Sequence, residues 1–134
     1  MVNLKKLKRA LEKIYPFMDK ISLSVNKLDN KIDISYINKN TLETQMFFIS
    51  QVELSWKIIE YIYQTGYIIG VSIVSDDDKN YDKNIKQYLC TIQDYESYYS
   101  DQDNDEYITF GNESLLESTV EACEYVLNNP KEIS

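Results

Sequence analysis

Apolar residues recur along this chain with two different periods, and the places where the period changes divide it into elements. Leu4, Leu7, Leu11 and Ile14 follow a three-and-four spacing that makes one helical stripe, with Asn3 as the capping residue and Pro16 as the stop. Ile21, Leu23 and Val25 then alternate with Ser22, Ser24 and Asn26, Asp29-Asn30 makes a turn, and Ile32, Ile34 and Tyr36 alternate again, which predicts a β-hairpin. A third apolar run, Met46 to Ile49, extends that sheet. Ser50 and Glu53 spell a capping box, which opens a helix. Its predicted buried side is Val52, Trp56, Ile59 and Tyr63, with Ile58 and Ile62 beside it and Gly66 ending it.

The nearly continuous apolar run from Tyr67 to Val74 reads as a central strand. A polar loop from Ser75 to Asn84, a strand at Tyr88 to Ile92, an acidic tyrosine-rich connection and a short strand at Tyr107 to Phe110 follow. A second capping box, Ser114 to Glu117, opens a last helix with the seam Leu116, Val120, Cys123 and Leu127, closed by Asn128-Asn129-Pro130. The expected fold is α+β: a two-layer sandwich of three helices on one mostly antiparallel sheet of five or six strands, forming a single domain over residues 1–134.

Composition agrees with a folded chain. At 134 residues, 43% hydrophobic and 13% aromatic, it is too apolar for disorder despite a net charge of -8. Cys90 and Cys123 stand in apolar surroundings without Cys-x-x-Cys spacing, which predicts buried thiols in place of a bridge or a zinc site. With no membrane-length apolar run and no apolar block behind Met-Val-Asn-Leu-Lys-Lys, a cytoplasmic location is expected. The basic face of the first helix, Lys5, Lys6, Lys8, Arg9 and Lys13, suits either solvent or an anionic membrane surface; the absence of Trp and Phe from its apolar stripe favours a core-docked helix.

Charge is distributed unevenly. Residues 1–20 carry six basic and two acidic side chains, a balance of +4, whereas residues 76–134 carry four and fifteen, a balance of -11. Between Gln87 and Pro130 there is no lysine or arginine, yet Asp94, Glu96, Asp101, Asp103, Asp105, Glu106, Glu113, Glu117, Glu121 and Glu124 all fall there. Such one-signed charge opposes compaction, so it points to a positive counterpart: a metal ion, a basic protein, or the chain's own first helix. On the last helix Glu113, Glu117, Glu121 and Glu124 fall within about 80 degrees of arc, beside the apolar seam. Direct binding of nucleic acid is disfavoured, because phosphate contacts need a basic face.

The absence of histidine excludes Ser-His-Asp and Cys-His triads, histidine bases and His-bearing zinc sites. Three glycines, Gly66, Gly70 and Gly111, cannot form a phosphate-binding glycine loop. Paired carboxylates such as Asp94 and Glu96 remain for glycosidase-type chemistry, but the chain offers little scaffold for a substrate cleft, so no enzymatic activity and no cofactor are expected. Asp101, Asp103, Asp105 and Thr109 occupy positions 1, 3, 5 and 9 of an EF-hand-like calcium loop. That loop has Glu106 where the pattern has glycine and Asn112 where it has the bidentate glutamate. Asp76, Asp78, Asn80 and Asp82 form a second cluster, also without glycine.

The segment Asp94 to Tyr107 is the stronger candidate. Tyr95, Tyr98 and Tyr99 offer rigid aromatic bodies with polar tips, and the carboxylates around them attract lysine and arginine at long range. Tyr98-Tyr99 among acids resembles the Tyr-Tyr pair on the acidic face of bacterial nuclease immunity proteins, and the small, acidic, histidine-free chain is similar as a class to immunity proteins of bacterial toxin systems. The resemblance implies a non-enzymatic inhibitor that covers the basic surface of a toxin or nucleic-acid-processing enzyme, through Asp94, Tyr95, Glu96, Tyr98, Tyr99, Asp101, Asp103, Asp105, Glu106, Glu113, Glu117 and Glu121. A phage-encoded DNA mimic of the anti-CRISPR or anti-restriction kind, a calcium-binding module and a structural adaptor are the alternatives.

Overall fold

In a computed structural model, residues 2–74, 87–94 and 107–130 are described. The order is α1 (Leu4–Ile14), β1 (Met18–Asn26), β2 (Lys31–Asn38), β3 (Thr44–Ser50), α2 (Gln51–Gln64), β4 (Tyr67–Val74), β5 (Gln87–Asp94), β6 (Tyr107–Asn112) and α3 (Leu115–Asn128). A helix followed by three strands therefore occurs twice, and α3 closes the series.

Local chemistry sets the helix ends where the sequence places them. Asn3 Oδ1 accepts from the N–H groups of Lys5 and Lys6, Ser50 Oγ from Glu53 N–H at 3.1 Å, and Ser114 Oγ from Glu117 N–H at 3.2 Å. Gly66, with φ of 103°, lies just past the end of α2, where a side chain would strain the turn.

The expectation of one sheet of five or six strands is corrected. Among the described residues there are six strands, but they form two antiparallel three-stranded meanders: sheet A, ordered β1-β2-β3, and sheet B, ordered β4-β5-β6. β3 runs straight into α2, so the chain leaves sheet A before β4 begins, and β3 and β4 end on separate sheets. A further correction follows: Tyr67 to Val74 is an edge strand, and β5 is the centre of sheet B. An apolar run reports burial of side chains and cannot say which neighbours a backbone will pair with.

α3 is the element around which the others pack, touching α2, β5, β6 and α1, while α1 also covers β1. One continuous core results, with Leu7 and Leu11 of α1, Ile32 and Ile34 of β2, Leu54, Ile58 and Ile62 of α2, Cys90 and Ile92 of β5, and Leu116, Val120 and Cys123 of α3. Tyr15, Phe17, Tyr36 and Phe47 extend it as a row of edge-to-face rings with centroids 5.9 to 6.1 Å apart. The stripe of α1 is thus spent on the core through Leu7, Ala10 and Leu11, with Leu4 at its outer margin, and a core-docked helix is what is observed. Among the described residues no helix is long and apolar enough to cross a membrane.

The buried face of α2 is turned about a quarter turn from the Val52–Trp56–Ile59–Tyr63 line, towards Ile58 and Ile62 beside it. Leu54, Ser55, Ile58, Ile59 and Ile62 are buried, whereas Val52, Trp56 and Tyr63 are exposed, Trp56 by 54%. Apolar residues occur nearly all round this helix, so its periodicity fixes no single face, and packing against α3 selects the Leu54–Ile58–Ile62 side.

Candidate functional site

Helix α3 and strand β5 frame the described part of the acidic region. They run side by side in the same direction: Ser118 Oγ donates to Tyr88 O at 2.6 Å near their starts, and near their ends Tyr67, the cross-strand neighbour of Asp94, donates its hydroxyl to Asn129 O at 2.6 Å. Glu113 therefore belongs to one end of this frame and Asp94 to the other, roughly 20 Å apart along the strand direction at about 3.3 Å per residue. Asp94 is half-buried, Glu113 exposed, and Glu117 and Glu121 half-buried on α3 between the two ends. These four acids line the frame without converging on one point.

Tyr95, Glu96, Tyr98, Tyr99, Asp101, Asp103, Asp105 and Glu106 lie outside the described residues, and so do both calcium-type clusters apart from Thr109 and Asn112. The residues that bracket the first segment are placed: Gln93 pairs with Tyr107 across sheet B, next to Asp94, and Tyr107 is 60% exposed. Among the described residues no three Asp, Glu, Cys or His side chains gather closely enough to hold a metal ion.

The basic first helix forms an ion pair with α3. Arg9 forms an ion pair with Glu124 through Nη1 and reaches Asn128 Oδ1 with Nη2 at 3.4 Å. The second carboxylate oxygen of Glu124 is buried and has no hydrogen-bond partner among the described residues. Arg9 thus engages the stripe glutamate nearest the C-terminus, and Glu113 lies about 16 Å back along the helix axis at 1.5 Å per residue. Lys5, Lys8 and Lys13 remain exposed.

A cleft of about 420 Å³ opens where the starts of α2 and α3 approach each other, lined among others by Gln51, Val52, Ser55, Tyr88, Glu113 and Ser114. Helix N-termini carry partial positive charge, so both favour the Glu113 carboxylate at this position. This cleft has no contiguous signature in the sequence, because it is made by residues far apart in the chain; the two capping boxes mark only the helix starts that frame it. A smaller cleft of about 210 Å³ lies between α1 and α2, with Tyr15, Lys57, Glu60 and Tyr61 in its wall. Burial, and next the negative charge of Glu53 and Glu60, raises the Tyr15 hydroxyl above its ordinary range.

Neither cysteine offers a nucleophile. Both are buried and unbridged, and burial pushes each thiol from 9.0 up to about 12, so neither forms thiolate at neutral pH. Burial first, then Tyr125 and Asp94, raises the Tyr67 hydroxyl, which stays a hydrogen-bond donor to Asn129 O. The described part of the frame thus presents carboxylates and aromatic rings, groups suited to docking a cationic surface.

No protein-family model, curated protein or solved structure matches this chain.

Proposed function

We propose that the protein is a non-enzymatic inhibitor of the immunity-protein type, which binds a basic toxin or nucleic-acid-processing enzyme through its acidic, tyrosine-rich C-terminal half. The observation that carries this reading is the placement of the Arg9–Glu124 ion pair. The contact between α1 and α3 engages Glu124 and Asn128 at the C-terminal part of α3, and it leaves Glu113 at the far end of the helix, exposed. Arg9 thus meets the stripe at its C-terminal end, and the balance of -11 over residues 76–134 supports a negative field for a partner. Asp94 and Tyr107 are the brackets from which the segment containing Tyr98 and Tyr99 would be presented, with the tyrosines as anchors and the carboxylates as steering charges.

The test is charge reversal at Asp101, Asp103, Asp105 and Glu106 together with Glu113, read as the association rate with a basic partner over a range of ionic strengths. An inhibitor of this kind loses association rate and salt sensitivity in the variant. Equal rates and equal salt dependence for the variant and the original chain would point to an uncharged adaptor surface instead.

A further inference from the structure

The cleft between the starts of α2 and α3 holds a carboxylate that no basic side chain answers. Glu113 lines it, is exposed, and makes no ion pair among the described residues. No lysine or arginine is among its lining residues. Lys31 follows the lining residue Asn30 in the chain, but Ile32 and Ile34 are buried, so alternation along β2 turns Lys31 to the face of sheet A away from the core. The partial positive charge of the two helix starts is shared with Glu53 and Glu117, the acids of their first turns. Ser50 and Ser114 are already engaged as caps, and Ser55 Oγ donates to Gln51 O at 2.7 Å.

The remaining walls are apolar. Val52, Leu115 and Leu116 line the cleft, and Tyr88 brings an aromatic residue to it. Its volume of about 420 Å³ suits one long side chain with a few waters. The apolar surface does not stop at the mouth: Val52 is also 55% exposed, and Trp56, one turn further along α2, is 54% exposed. An aliphatic stem across Val52 and Leu115, ending in a planar cation at Glu113, complements these walls. Arginine fits this better than lysine, because its guanidinium is less strongly hydrated, pairs with a carboxylate through two parallel hydrogen bonds and stacks on aromatic rings.

We propose that this cleft is the socket for an arginine side chain of the basic partner, with Val52 and Trp56 as the apolar contact around it. The inference rests on the inhibitor reading for the source of the arginine, and it adds a specific anchor to what is otherwise long-range attraction. It also moves part of the interface from the acidic segment onto α2, where an exposed tryptophan has the composition of a binding hot spot.

Amide NMR of the whole chain titrated with N-acetyl-arginine amide tests the socket. Gln51, Val52, Ser55, Tyr88 and Ser114 should shift together and saturate with a Kd of about 1 to 10 mM. N-acetyl-citrulline amide, of nearly the same shape but uncharged, should leave them in place. Glu113→Gln should weaken the response about tenfold or more, and so should Val52→Lys, which sets a competing ammonium at the mouth. Both positions are exposed, so the spectrum away from the cleft should be unchanged. No shift at these residues up to about 50 mM arginine amide, an equal response to the citrulline amide, or a response undiminished in both variants would overturn the proposal. The probe needs no partner, so a silent cleft overturns this inference alone. The inhibitor reading is judged separately, on the association rate of the chain reversed at Asp101, Asp103, Asp105 and Glu106, whose cleft should still take the arginine amide.

Discussion

Burial at single positions fixes how this protein responds to pH. The thiols of Cys90 and Cys123 are held at about 12 by burial, and the hydroxyls of Tyr15, Tyr61 and Tyr67 are also raised, burial being the largest cause for each. A raised value means that the folded state holds the proton more tightly than the unfolded chain. The associated stability is fully present below pH 9.0, the ordinary thiol value, and is lost as pH climbs towards about 12. Denaturant midpoints should therefore be level across neutral pH and fall steeply in alkali, with both thiols silent to a thiol reagent at pH 8 until the protein unfolds; rapid labelling of the native protein would contradict this. Ser118 makes a comparable statement for hydrogen bonding. It is fully buried and donates to Tyr88 O at 2.6 Å. Ser118→Ala should cost about 0.5 to 1.5 kcal/mol by removing that hydrogen bond, measurable by urea unfolding.

Element by element, α2 offers the sharpest contrast. Ile58→Ala, on the buried side, should cost about 2 to 5 kcal/mol, whereas Trp56→Ala on the exposed side should stay within about 0.5 kcal/mol. The reverse order would restore the face that the sequence pattern suggests. In sheet B, Gly70 sits in the interior of β4 with open space where a Cβ would go. Gly70→Thr should raise stability by about 0.5 to 1 kcal/mol, since it removes unfolded-state freedom and adds a side chain across from Thr91. These elements also show what the sequence discloses. Capping and turn chemistry is local, so Asn3, Ser50, Ser114 and Gly66 mark the helix boundaries and Asp29-Asn30 the hairpin. Strand pairing and helix facing are set by distant partners, which is why the second sheet, the edge position of β4 and the buried side of α2 do not follow from period alone. The same reasoning applies to the candidate site: the acidic residues are plain in the sequence, but their separation onto two ends of the α3–β5 frame depends on the hydrogen bonds from Ser118 and Tyr67.

For the molecule as a whole, the governing quantity is the charge difference between its ends, +4 over residues 1–20 against -11 over residues 76–134. Internal compensation through Arg9 and Glu124 accounts for one pair of that imbalance. A calcium module would use the same acids differently, and titration calorimetry separates the two: the inhibitor reading predicts no heat at millimolar calcium, whereas a saturable heat abolished by Asp101→Asn would replace it with a metal site. If the acidic C-terminal half faces a cationic macromolecule, capture from the source organism's lysate at low salt will recover it. The partner recovered should be a basic protein, released by raised ionic strength and not captured by the chain reversed at Asp101, Asp103, Asp105, Glu106 and Glu113. A partner that is neutral or acidic, or one held equally by the reversed chain at high salt, would contradict it.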